Sequence, residues 1–213
     1  MVKLPKSFWL IAPFAMWMVL MVALPATVTA YAIRTGVVAV ILLVALRSEC
    51  RKLLLGESLG EYAASPRSDF RSSLPSLAVG FATGIMIFVV WILPEQFDWA
   101  WYRKWCIIGE GGTQAVAEAN AAMIAVRLVG SAFVISVAEE LFFRKWLIGF
   151  AGFWPMVALF AVEHDRWLVA AICGIAYGLL YLRRGLGAAI VAHVTTNLVL
   201  GLWVLKTGQW QFW

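Results

Sequence analysis

The sequence places a few ionisable side chains inside strongly apolar stretches, and their types and spacing could support hydrolytic chemistry. Two adjacent carboxylates, Glu139 and Glu140, close an apolar run, and Arg144 follows four residues after the second. An ionisable group inside an apolar span costs about 2.5–3.5 kcal/mol even on the mildest insertion scale. Residues kept at that cost are the first candidates for function.

Helix geometry predicts different tasks for the two carboxylates. Glu140 and Arg144 are four residues apart, so they share a helix face and can form an ion pair. Glu139 is rotated by about 100° from Glu140, since 3.6 residues make one turn. We therefore predict that Arg144 holds Glu140, while Glu139 stays available for chemistry. A purely structural bridge near the end of a span is the alternative interpretation of the Glu140–Arg144 pair.

The chain has only two histidines, and each shares a helix face with another notable residue. Phe160 precedes His164 by four residues, and Asn197 follows His193 by four. The Asn197 amide can donate hydrogen bonds, which suits it to stabilising an oxyanion. One free carboxylate, two imidazoles and an amide could activate water and stabilise a tetrahedral intermediate. A lone membrane histidine often serves packing alone, but the grouping of both with the carboxylates favours a functional site.

The composition requires that membrane helices position these residues. Hydrophobic residues make up 63% of 213 positions, charged residues only 14%, and the mean hydropathy is +0.86. Soluble domains carry about 25% charged residues, so this chain lacks the polar surface that water requires. The net charge of +5 does not indicate nucleic-acid binding, because the basic residues lie in short runs between apolar stretches.

The predicted fold is an all-α, polytopic transmembrane bundle of about seven spans, forming one domain over residues 1–213. If the carboxylate and both imidazoles form one site, Glu139 and His164 must meet, although full alternating spans would place them at opposite faces. We therefore expect the fifth span to be a half-span of about 15 Å, ending at a polar cavity in mid-membrane. The candidate spans are residues 8–28, 36–46, 74–93, 121–137, 154–163, 168–182 and 187–205.

The distribution of Lys and Arg predicts a cytoplasmic N-terminus by the positive-inside rule. With that orientation, eleven basic residues lie inside and five outside, in a multi-pass membrane protein. The inner residues are Lys3, Lys6, Arg47, Arg51, Lys52, Arg67, Arg71, Arg144, Lys145, Arg183 and Arg184, and the outer ones are Arg34, Arg103, Lys104, Arg166 and Lys206. Arg127 lies inside a span, twelve residues before Glu139, and is expected to serve a different layer.

Three short motifs carry a family resemblance. Glu139-Glu140-x-x-x-Arg144, Phe160-x-x-x-His164 and His193-x-x-x-Asn197 together resemble the signature of the CPBP (Abi) intramembrane proteases, which include the type II CAAX prenyl endopeptidases. Arg166-Trp167, the run from Ala192 to Asn197 and the ending from Thr207 to Trp213 resemble the bacterial, exosortase-associated branch of CAAX-protease-related proteins. Ala161 and Glu163 depart from the common second motif, which has Gly after the Phe and an apolar residue before the His.

The resemblance implies a glutamate-dependent protease without a metal cofactor, with its catalytic core at about 121–205. Such a protease would act in a bacterial inner membrane on membrane-anchored peptide or protein substrates. Exosortase-system proteins are possible partners, and no nucleic acid is expected. It implies that Glu139 and His164 activate water and that His193 and Asn197 form the oxyanion site. Glu140 and Arg144 would be supporting residues.

Three alternatives remain open from the sequence. Zinc is the rival cofactor, since a Glu and two His can bind it, but the tight HExxH spacing is absent. A non-catalytic scaffold or immunity-type protein of the same family, binding a partner, is the rival function. A small proton-relaying transporter is more distant, because the sequence lacks repeat halves.

Overall fold

A computed structural model describes residues 6–54, 73–108 and 120–212, and these ranges contain helices and no strand. Within these ranges, eight helices follow one another. They are α1 (Lys6–Ala23), α2 (Val28–Leu54), α3 (Leu74–Gln96), α4 (Ala100–Cys106), α5 (Ala121–Ala151), α6 (Phe153–Val162), α7 (Trp167–Arg184) and α8 (Leu186–Thr207), before a short 3₁₀ turn at Trp210–Phe212. The predicted all-α class is confirmed.

Five of these helices, α2, α3, α5, α7 and α8, are long and apolar enough to cross a membrane. Helices α1 and α6 are apolar but shorter, so the predicted count of about seven spans is not confirmed. Large apolar side chains cover the outside of the bundle, with Val22 90% exposed and Trp154 69% exposed. An apolar exterior of this kind is what a lipid environment requires, and the chain is an integral membrane protein.

Two predicted spans were too short. Helix α2 runs from Val28 rather than residue 36, because Arg34 is buried against the Trp17 and Tyr31 rings instead of ending the span. Helix α5 continues to Ala151 rather than stopping at residue 137, and the carboxylates therefore lie in its interior. The charged side chains ended the apolar pattern in the sequence, but their mutual pairing allows the helix to continue. Helix α4 was not predicted.

The fifth span is short, as expected: α6 has ten residues and ends just before Glu163 and His164. Two glycines reverse the chain around this part of the bundle. Gly152 (φ 94°) separates α5 from α6, and Gly185 (φ 90°) separates α7 from α8. Left-handed φ values are readily adopted by glycine alone, so each reversal needs only a single residue.

Helix α3 packs closely along α8 and fixes the position of the second histidine. A Cβ atom on Gly84 would lie 2.5 Å from the carbonyl oxygen of Ala192, and one on Gly80 would lie 2.5 Å from that of Ala188. Such small residues let membrane helices approach until their backbones touch. His193 follows Ala192 directly, so this contact determines where its ring lies.

Candidate active site

Two π-helical segments interrupt α5 around the predicted carboxylates. They span Gly130–Ile135 and Glu140–Leu147, and the four residues between them, Ser136–Glu139, are α-helical. Such wider turns are rare and frequently occur at functional sites. Here Ser131 presents its carbonyl oxygen to side chains: Ser136 Oγ donates to it at 3.1 Å, and Asn197 Nδ2 at 3.2 Å.

Glu140 and Arg144 form the predicted ion pair. Arg144 Nη1 lies 2.9 Å from Glu140 Oε1, and both side chains are 0% exposed. The guanidinium also lies over the Phe160 ring, 4.3 Å from its centroid, and 5.4 Å from the centroid of Tyr177. A buried charge needs such partners, because its desolvation is costly. The aromatic faces and one carboxylate together hold the arginine.

His193 lies between the two glutamates. Its Nδ1 is 2.8 Å from Glu140 Oε1, and its Nε2 is 3.7 Å from Glu139 Oε2. A carboxylate can only accept a hydrogen bond, so Nδ1 carries a proton and donates it to Glu140. Therefore Nε2 is the nitrogen that is available on the side of Glu139.

Glu139 is the carboxylate left available by this arrangement. Its side chain is buried, and Oε2 has no hydrogen-bond partner among the residues that the structure describes. The separation of 3.7 Å from His193 is too long for a direct hydrogen bond. This spacing would allow a third group, such as a water molecule, to contact both side chains.

His164 enters the same region from the end of α6. Its Nδ1 lies 2.8 Å from the carbonyl oxygen of Phe160, and because a carbonyl only accepts, Nδ1 donates and Nε2 keeps its lone pair. The Phe160 ring centroid is 4.6 Å from that of His164 and 6.1 Å from that of His193. The two histidines therefore meet around one phenylalanine instead of lying at opposite membrane faces.

The chain after α6 is held by polar contacts with other elements. Arg166 Nε donates to Glu95 Oε1 at 2.5 Å, and the amide of Ile108 donates to the Asp165 carbonyl at 2.7 Å. The indole of Trp167 donates to the Trp105 carbonyl at 2.9 Å. These contacts anchor the break between α6 and α7 that orients His164.

Asn197 faces α5, but its amide is already engaged. Nδ2 donates to Ser136 Oγ at 2.9 Å as well as to the Ser131 carbonyl. The oxyanion role implied by the resemblance therefore requires one of these bonds to be exchanged for a bond to substrate. That role stays a prediction.

A cavity of about 240 Å³ joins the predicted residues. Glu139, His164, His193 and Asn197 all line it. Arg127 lines it too, so the expectation that this arginine serves a different layer was wrong. Arg127 and Glu139 are twelve residues apart on α5, but the cavity extends along the axis of this helix and both side chains line it. Its remaining walls are mainly aromatic and apolar: Trp17, Tyr31, Trp91, Ile135, Phe160, Tyr177, Leu200 and Phe212.

Sequence reasoning missed three residues of this site. Ser136 binds the Asn197 amide, while Tyr177 stacks on His193 and donates to Thr196 Oγ1 at 2.6 Å. The only sequence signals were helical spacings, since Ser136 lies three residues before Glu139 and Thr196 three after His193. Nothing in the sequence distinguished Tyr177 from other aromatic residues of the bundle.

A metal centre would need several acidic, histidine or cysteine side chains close together. In ranges 6–54, 73–108 and 120–212, no three of them are grouped as a metal site would require. Both ring nitrogens of His193 are directed at glutamates instead. The absence of a metal cofactor stays a prediction, with zinc as its alternative.

Comparison with known proteins supports the family resemblance. Residues 121–199 match the family described as type II CAAX prenyl endopeptidase, Rce1-like. No curated protein matches the chain, and no solved structure does. The matched segment runs from the start of α5 into α8 and contains all three motifs. Over the helices that carry this cavity, the chain is thus similar to the Rce1-like type II CAAX prenyl endopeptidases, as the motifs predict.

Proposed function

We propose that the chain is an intramembrane endopeptidase that uses Glu139 and histidine side chains to add water across a peptide bond. The observation that carries the proposal is the buried Glu139 carboxylate, which lines the cavity with one oxygen unpaired among the described residues. Buried polar groups are nearly always hydrogen-bonded, so this oxygen is suited to holding a water molecule. The match of residues 121–199 supports the same reaction class.

In the proposed reaction, Glu139 takes a proton from water while the oxygen attacks the substrate carbonyl. His164 offers the lone pair of Nε2 as a second acceptor that orients the water. The proton on Glu139 then passes to the departing amine, so that one water yields a new carboxyl and a new amino terminus. General-base catalysis of this kind contributes about 10²–10⁴-fold to a rate.

His193 would act in its protonated form and donate from Nε2 to the developing oxyanion. Glu140 accepts from Nδ1 at 2.8 Å and is itself paired with Arg144 at 2.9 Å, so the ring is held on the side opposite to Nε2. His193 and Arg144 would then carry two positive charges, and Glu139 and Glu140 two negative ones. A balanced set of this kind limits the cost of burying charge in an apolar environment.

Asn197 would supply the second oxyanion donor. It would exchange its hydrogen bond to Ser136 Oγ, now 2.9 Å long, for one to the substrate oxygen. Loss of one oxyanion donor typically reduces turnover by about 10²–10³-fold. The exchange makes this interaction specific to the transition state, which is where binding accelerates a reaction.

The experiment uses the full chain purified in lipid nanodiscs and a panel of membrane-anchored peptides, followed by mass spectrometry of the fragments. Variants Glu139→Gln and His193→Ala are expected to abolish cleavage. Asp98→Asn is the matched control, since it makes the same carboxylate-to-amide change on a side chain that is 74% exposed. Cleavage that persists in Glu139→Gln would refute the proposal.

The same panel separates the enzyme from a non-catalytic scaffold of this family. A scaffold would bind a peptide or protein partner without cleaving it, and both variants would leave that binding unchanged. The proposed setting is a bacterial inner membrane with a cytoplasmic N-terminus and exosortase-system proteins as partners. Reporter fusions after α8 test the orientation, since the reporter should lie outside the cytoplasm.

A further inference from the structure

We propose that Tyr177 is a positioning residue that fixes the plane of the His193 ring, so that Nε2 points at the space beside Glu139. This inference rests on the proposed function for its catalytic consequence, but the contact itself is independent of that function. Tyr177 belongs to none of the three motifs. It lies on α7, whereas His193 lies on α8 and Glu139 on α5.

The two rings are stacked. Their centroids are 5.0 Å apart and their planes differ by only 23°, which is the offset-stacked arrangement that aromatic pairs favour. Tyr177 is 1% exposed and His193 is 4% exposed, so the two rings contact each other in the interior of the bundle. Tyr177 also meets the Arg144 guanidinium, which lies 5.4 Å from its ring centroid.

The hydroxyl of Tyr177 is tied to a third helix. Thr196 Oγ1 lies 2.9 Å from the Gly84 carbonyl and 3.0 Å from the Ala192 carbonyl. Because carbonyls only accept, the Thr196 proton is directed to them, and its oxygen accepts from the Tyr177 hydroxyl at 2.6 Å. Tyr177 is thereby linked through Thr196 to the backbones of α3 and α8.

The stacking supplies a restraint that hydrogen bonding to Glu140 does not. The bond from His193 Nδ1 to Glu140 fixes one direction in the ring plane, but the ring could still turn about that bond. Turning would move Nε2 away from Glu139, from which it is now 3.7 Å distant. Since a misplacement of about 1 Å can cost about 10²-fold in rate, the ring plane matters for catalysis.

The test combines a spectroscopic and a kinetic readout on the full chain in nanodiscs. Histidine labelled with ¹³C and ¹⁵N gives signals from only two residues, His164 and His193, and a His193→Asn variant assigns them. Tyr177→Leu should shift the His193 ring signals by removing the ring current, whereas Tyr177→Phe should keep them near their wild-type positions.

Cleavage rates give the second readout. Tyr177→Leu should lower kcat by roughly 10–100-fold with little change in KM, and Tyr177→Phe should restore most of the rate. Tyr181→Leu is the matched control, because Tyr181 is buried one turn later on the same helix and does not stack on His193. It should reduce thermal stability to a similar extent while leaving kcat unchanged.

Unchanged His193 signals in Tyr177→Leu would overturn the proposal, and so would an equal loss of kcat in Tyr181→Leu. If the wild-type chain cleaves none of the peptides, the proposed function fails. The labelled-histidine spectra then still decide whether Tyr177 positions the ring.

Discussion

Removal of Arg144 is expected to destabilise the fold far more than an ordinary surface change. In Arg144→Leu, Glu140 keeps its negative charge in a fully buried position and loses the cation that lies 2.9 Å away. Breaking a buried pair by removing one partner costs roughly 3–5 kcal/mol. Loss of the guanidinium from the Phe160 face, 4.3 Å from its centroid, adds up to about 2 kcal/mol in a desolvated site.

His193 offsets part of this cost, because it continues to donate to Glu140 in the variant. We therefore expect a loss of about 4 kcal/mol in the free energy of unfolding. The double variant Glu140→Gln with Arg144→Leu should lose less than Arg144→Leu alone, because no charge is then left without its partner. Replacing both members of a buried pair with neutral groups is often close to neutral.

Reversible unfolding in mixed micelles, followed by tryptophan fluorescence, measures these differences and yields a double-mutant cycle. Arg103→Leu is the matched control, because its ion pair with Asp98 is 52% and 74% exposed and should contribute little. A loss below about 1 kcal/mol in Arg144→Leu, against the 3–5 kcal/mol of a broken buried pair, would refute the reasoning. Additive effects in the double variant would also refute it.

Three further predictions concern helix packing, the oxyanion and the cofactor. Gly84→Ala would place a Cβ 2.5 Å from the Ala192 carbonyl oxygen. This overpacking should lower the free energy of unfolding by about 1–3 kcal/mol. Gly36→Ala is the control in the same unfolding assay, because the space around its Cβ is open, and it should cost nothing. Asn197→Ala should lower kcat by about 10²–10³-fold in the peptide assay, whereas Ser136→Ala should keep most of the activity. Cleavage should be insensitive to chelators, and a loss that added zinc restores would contradict metal independence.

Residues that interact within one helix could be predicted well from the sequence. Four-residue spacing was sufficient for the Glu140–Arg144 pair, and the same geometry left Glu139 available. The requirement that His164 share a cavity with Glu139 led to the prediction of a half-length helix, and α6 has ten residues. The first two inferences needed only helix periodicity, whereas the half-length helix followed from the requirement for a shared site.

Contacts between helices could not be predicted in the same way. Tyr177 stacks on His193 because α7 and α8 reverse at Gly185, and the sequence does not give the relative rotation of the two helices. The engagement of Asn197 by Ser136 depends on the π-helical turns of α5, which no spacing rule anticipates. The lengths of α2 and α5 were underestimated because contacts with other buried side chains allow charged residues to lie inside an apolar helix.

Single-turnover hydrolysis in H₂¹⁸O tests most directly whether Glu139 activates water. After quenching, mass spectrometry should find one ¹⁸O atom in the new carboxyl terminus of the peptide, while the protein itself gains no label and no peptide fragment. A covalent intermediate on the protein, or ¹⁸O in the side chain of Glu139, would show that this carboxylate attacks the peptide itself and would contradict the proposed mechanism.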